Sequence, residues 1–141
     1  MEKIFTLQQI GETAAWLWDR AKNYSVWTLA GEMGAGKTTL TAALMSLLHA
    51  EDEISSPTYS IINEYKLSGE AGYTKVYHAD LYRLNHLEEA IDAGIEDMLL
   101  DDGALRIIEW PQIIQSILPA NVLSLTLSIV DAQTRLLKIN H

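Results

Sequence analysis

The sequence contains no cysteine, which removes disulfide frameworks, thiolate metal sites and cysteine nucleophiles at once. Cations are scarce as well: 10 lysines and arginines face 19 acids, a net charge of −9. Such a surface repels a polyanionic backbone, so direct nucleic-acid binding is not expected. No apolar run approaches the roughly 18 residues of a membrane-spanning helix. The opening MEKIFTLQQI also lacks the apolar stretch and small-residue cleavage site of a signal peptide. A soluble cytoplasmic protein is the expectation. Internal repeats, low-complexity segments and long linkers are missing too, so residues 1–141 read as a single domain. What remains is 48% hydrophobic and 21% charged, an ordinary globular composition able to bury one core.

Periodicity divides the chain into alternating strands and helices. Lys3–Phe5 is extended, and Thr6 with Gln9 fits a capping box that opens a helix through Ile10, Ala14, Leu17 and Ala21. Ser25–Ala30 is rich in β-formers and ends at a glycine, the pattern of a buried strand. Thr38–His49 predicts a helix. Ile61–Lys66 and Tyr73–Ala79 predict a hairpin across two glycines. Asn85 with Glu88 predicts an N-cap for a helix that Gly94 ends, and Leu105–Glu109 is a short apolar strand broken by Pro111. Val122–Val130 alternates and turns at 131–133 into a last strand, Thr134–Ile139. Strand–loop–helix units give parallel neighbours and hairpins give antiparallel ones. The expectation is an α/β, P-loop NTPase-like three-layer sandwich with a mixed parallel/antiparallel central sheet.

The strongest signal is Gly31-Glu32-Met33-Gly34-Ala35-Gly36-Lys37-Thr38, followed by Thr39. It satisfies every fixed position of the Walker A pattern, with a buried strand before it and a helix after it. Glycines let the backbone wrap so that successive N–H groups face phosphate oxygens, and the helix that follows adds its positive dipole end. Lys37 suits the β and γ phosphates and the Thr38 hydroxyl suits Mg²⁺. ATP and Mg²⁺ are the expected cofactors.

A second acid for the metal belongs at the end of a neighbouring apolar strand, and Glu109 fits that position. Asp80, ending another strand, is a candidate to orient or deprotonate an attacking water, the alternative being a turn or cap aspartate. Ser56, Pro57 and Thr58 fall where many P-loop proteins carry a switch loop, and also suit a plain turn. The four histidines show no metal-ligand spacing and read as surface or local hydrogen-bonding groups. Trp110 reads as a buried anchor or as a neighbour of nucleotide.

Taken together, GEMGAGKTT, Ser56-Pro57-Thr58-Tyr59, the segment His78-Ala79-Asp80-Leu81-Tyr82-Arg83-Leu84 and Ile108-Glu109-Trp110 resemble one family. It is the TsaE (earlier YjeE) family, the small bacterial P-loop ATPase of the tRNA threonylcarbamoyladenosine pathway. Glu32-Met33 stands where members usually show Asp-Leu, at variable positions of the loop. The resemblance implies that Lys37 and Thr38 hold phosphate and Mg²⁺, that Glu109 completes the metal site and that Asp80 assists hydrolysis. It implies a switch at Ser56–Thr58 and a nucleotide-sensitive segment at Trp110. It further implies slow ATP turnover that resets a modification complex with two actin-fold partners, the threonylcarbamoyl transferase TsaD and its inactive paralogue TsaB. The partners rather than this chain would contact tRNA. A monomer is the expectation.

Three other readings use the same loop. A small-molecule or nucleotide kinase needs clustered arginines, and Arg20, Arg83, Arg106 and Arg135 are scattered. A GTPase needs an Asn-Lys-x-Asp segment, which is absent. A nucleotide-gated adaptor that does not depend on hydrolysis is the third.

Overall fold

A computed structural model describes residues 1–51 and 61–140. The strands are β1 (Glu2–Thr6), β2 (Val26–Ala30), β3 (Ile62–Lys66), β4 (Lys75–Asp80), β5 (Ala104–Glu109), β6 (Val122–Ile129) and β7 (Thr134–Asn140). The helices are α1 (Ile10–Ala21), α2 (Lys37–Leu47), α3 (Leu87–Asp92) and α4 (Ile95–Leu99), with 3₁₀ segments at Leu7–Gln9 and Pro111–Ile117. All seven strands form one sheet in the order β1-β7-β6-β2-β5-β4-β3. β2 runs parallel to β5 and β6, and β4 runs parallel to β5, while β1–β7, β6–β7 and β3–β4 are antiparallel. The mixed sheet of the predicted three-layer P-loop-type sandwich is present.

Burial follows from this order. β5 is buried at all six positions and β2 at its first four, as expected of central parallel strands covered on both faces. One core lies under α1 and α2 and includes Trp27, Leu29, Leu105, Ile107 and Leu125. The other lies under α3, α4 and the second 3₁₀ segment and includes Val26, Ala79, Ile95, Ile108 and Ile114. β6 keeps its alternation: Leu123, Leu125 and Leu127 are buried while Ser124 is exposed.

Local signals were mostly sound, with shifts that have physical causes. The Gln9 Oε1 accepts the Thr6 N–H at 3.0 Å, but the box opens a 3₁₀ turn that runs into α1 rather than α1 itself. The predicted Asn85 cap moves by one residue. His86 is the N-cap of α3, and the Glu89 carboxylate accepts both the Asn85 and the His86 N–H at 3.0 Å. Gly94, at φ +99°, ends α3 and also starts a second short helix, α4, which the sequence reading did not separate. The helix predicted at Thr38–His49 runs from Lys37 to Leu47, and His49 leaves it at φ +55°. Pro111 starts a 3₁₀ segment.

Candidate functional site

Because β2, β4, β5 and β6 are mutually parallel, their carboxyl ends share one edge of the sheet, where ligand crevices of α/β folds form. The chain leaves β2 at Ala30, wraps through Gly31–Gly36 and enters α2 at Lys37. Gly34 and Gly36 adopt φ +81° and +102°, conformations that side-chain-bearing residues rarely take. Gly31 approaches β6 so closely that a Cβ there would stand 2.5 Å from the Leu127 carbonyl oxygen. The glycines are therefore required by shape at this loop.

Register brings the predicted acids to the same edge. Asp80 pairs with Glu109 across β4 and β5, and Glu109 pairs with Leu29 of β2. A cleft of about 330 Å³ is lined by Met33, Gly34, Gly36, Lys37, Thr38, Thr39, Asp80, Tyr82, Glu109 and Trp110. Nine of the predicted positions therefore meet around one cavity, whereas Ser56, Pro57 and Thr58 lie outside the described residues. No arginine lines this cleft among the described residues, so the several guanidinium groups of a kinase lid have no counterpart there.

Each side chain is held differently. Lys37 is 7% exposed as a residue, and its ammonium donates to the Gly31 carbonyl and sits 4.1 Å from the centre of the Trp110 ring. Among the described residues this cation, held against a carbonyl and an aromatic face, has no carboxylate partner, and an anion entering the cleft would supply the missing negative charge. Trp110 takes φ +56°, ψ +59°, an outlier for a bulky residue that costs on the order of 1–3 kcal/mol. That turn sets its ring beside Lys37 and 5.1 Å from the Tyr82 ring. Asp80 is exposed, and one of its oxygens accepts the Tyr82 N–H at 3.1 Å; the turn-aspartate role and a place in the cleft coincide. Glu109 is 2% exposed and hydrogen-bonds the His78 Nε2. Thr38 is exposed beside Lys37.

These donors fit a hard divalent cation such as Mg²⁺. Thr38, Asp80 and Glu109 offer only oxygen, and no cluster of three or more acidic or histidine ligands forms a complete cage among the described residues. Mg²⁺ characteristically takes one or two protein oxygens and completes its shell with phosphate and water.

A larger cavity, about 480 Å³, flanks the loop on its other side and shares Gly34, Gly36 and Thr39 with the cleft. Phe5, Leu7, Ile10 and Ala35 supply apolar walls, and the tip Ala132–Gln133 of the β6–β7 hairpin closes it. Arg135 braces the loop from there. Its guanidinium donates to the Ala35 carbonyl at 3.1 Å and the Gly34 carbonyl at 3.4 Å, while also holding the Asp131 carbonyl at 2.7 Å. Sequence reasoning assigned this hairpin no role, because an isolated arginine in a strand carries no motif. Arg135→Leu is expected to weaken nucleotide binding about tenfold, since two loop carbonyls lose charge-assisted partners worth roughly 1 kcal/mol or more together. Titration with a fluorescent nucleotide checks this, and unchanged affinity would remove the brace from the account.

A family model described as "Threonylcarbamoyl adenosine biosynthesis protein TsaE" matches residues 4–137. The chain is 34% identical over 114 residues to the tRNA threonylcarbamoyladenosine biosynthesis protein TsaE of Rickettsia bellii, covering 80% of this chain and 75% of that protein. It is 41% identical over 91 residues to the protein of the same name in Haemophilus influenzae, covering 64% of this chain and 54% of that one. The crystal structure of Bacillus subtilis YdiB superposes with a TM-score of 0.70 at 23% identity, covering 99% of this chain and 83% of that one, a likeness of fold.

Proposed function

The chain belongs to the TsaE family of threonylcarbamoyl adenosine biosynthesis proteins, and from that membership we propose that it is an Mg²⁺-dependent ATPase of the pathway. ATP hydrolysis, slow in the isolated chain, would reset a tRNA-modifying complex whose other members resemble the actin-fold proteins TsaD and TsaB. The observation that carries this reading is the convergence of Lys37, Thr38, Asp80 and Glu109 on one cleft beneath a glycine loop.

Phosphate oxygens sit against the amides of Gly31–Thr38 and the start of α2. Lys37 exchanges the Gly31 carbonyl and the Trp110 face for the β and γ phosphates, so the ring records whether the site is filled. Asp80 orients the water that attacks the γ-phosphorus, with ADP as the leaving group. Thr38 and Glu109 would hold Mg²⁺, which would neutralise negative charge developing on the phosphates. The base occupies the larger cavity, where apolar walls accept a ring and Gln8 and Gln133 are among the lining residues. Carboxamides pair with the amino and ring-nitrogen edge of adenine. The net charge of −9 supports contact with tRNA through partners rather than directly.

Phosphate release by the chain with and without the actin-fold partners tests the proposal. Stimulated release is expected to fall about 10²-fold or more in Asp80→Ala and in Glu109→Ala. Unchanged release in both variants would leave these residues without a role in hydrolysis.

A further inference from the structure

His78 belongs to none of the groups assigned above, yet it makes the one side-chain hydrogen bond that Glu109 has among the described residues. The side chains of His78 and Glu109 are 12% and 3% exposed, so water does not compete freely for either. Residues 78 and 80 are two apart on β4 and share a face. The pairing of His78 with Ile107 and of Asp80 with Glu109 places that face with Ile107 and Glu109 of β5. It is the face of Trp27 and Leu29, covered by α1 and α2. One strand thus delivers two polar side chains to the phosphate edge: Asp80 opens into the cleft, and His78 stands behind it against Glu109.

A glutamate at this position has one more rotatable bond than an aspartate, so its carboxylate is harder to fix. The imidazole removes that freedom by holding Oε2, and Oε1 is left without a protein partner among the described residues. Outer partners of this kind orient a metal-ligating carboxylate and are worth about 10–100-fold in metal affinity. We propose that His78 is a positioning residue: its Nε2–H fixes the Glu109 carboxylate so that one oxygen is presented to the divalent cation that accompanies nucleotide. This rests on the reading of Glu109 as a metal ligand given above.

The test measures nucleotide affinity by calorimetry on the full chain, in EDTA and across a Mg²⁺ titration. Wild type is compared with His78→Leu, which has no donor, and with His78→Gln, whose amide N–H reaches the place of Nε2. In EDTA the three are expected to agree within about twofold. The Mg²⁺ concentration for half-maximal enhancement is expected to rise about tenfold in His78→Leu and to return most of the way in His78→Gln. A folded His78→Leu with the wild-type Mg²⁺ response overturns the proposal, as does equal impairment in both variants. If His78→Leu does not fold, His78→Asn, whose amide is too short to reach Oε2, reads the same loss. Wild type binding nucleotide with no Mg²⁺ enhancement would overturn the metal reading of Glu109 itself, an outcome distinct from a normal wild type with unresponsive variants.

Discussion

Replacing Lys37 with alanine is expected to lower ATP turnover by about 10²–10³-fold, because it removes a preorganised cation from the place where charge develops on the transferring phosphate. Lys37 is already buried, 7% exposed as a residue, with its ammonium between the Gly31 carbonyl and the Trp110 ring. Nucleotide binding then exchanges weak partners for a strong one instead of stripping a hydrated lysine. Stability should change little, by about 1 kcal/mol, since the variant keeps a helix-favouring residue at the start of α2 and loses one hydrogen bond and one ring contact. Single-turnover phosphate release and a thermal melt separate the two effects. Turnover within a few-fold of wild type in a folded Lys37→Ala would mean that the ammonium serves the fold and not the phosphates.

The second large effect concerns shape. Gly31→Ala is expected to destabilise the chain by about 2 kcal/mol, lowering the melting temperature by roughly 5–10 °C. The new Cβ would meet the Leu127 carbonyl oxygen at 2.5 Å. That oxygen is backbone of β6, a strand paired on both sides by β2 and β7, and cannot retreat as a side chain does. Either the loop or the sheet edge must shift, so nucleotide affinity should fall together with stability. Gly11→Ala is the contrast. It lies in α1 with no atom within 4 Å of the added Cβ, and the change should stabilise by about 0.4–1 kcal/mol. Equal melting temperatures for wild type and Gly31→Ala would contradict the close approach.

The path of the glycine loop and the place of the two acids at the sheet edge were legible because their determinants are local. Glycines at fixed spacing dictate a backbone path, and an apolar run closed by Glu109 announces a central strand and its edge. The hairpin of β6 and β7 was legible for the same reason, through the alternation of Leu123, Leu125 and Leu127. What stayed hidden depends on pairing between distant segments. His78 became meaningful only when β4 took its place beside β5, which no spacing within residues 78–84 states. Arg135 reaches Gly34 and Ala35 across a hundred residues of sequence, and the wall formed by Phe5, Leu7 and Ile10 meets the loop through β1 at the far edge of the sheet. The division at Gly94 was missed because one glycine with positive φ serves both as the end of α3 and as the start of α4.

Every role assigned to the cleft requires that the turn between β2 and α2 grip the phosphates of a nucleoside triphosphate. Titrating the full chain with MgATP in a calorimeter addresses it without reference to partners or turnover. One saturable site per chain is expected, weakened at least tenfold by Lys37→Ala and competed by ADP. A folded wild-type chain that gives no heat with MgATP, MgADP or any other Mg-nucleotide would contradict it.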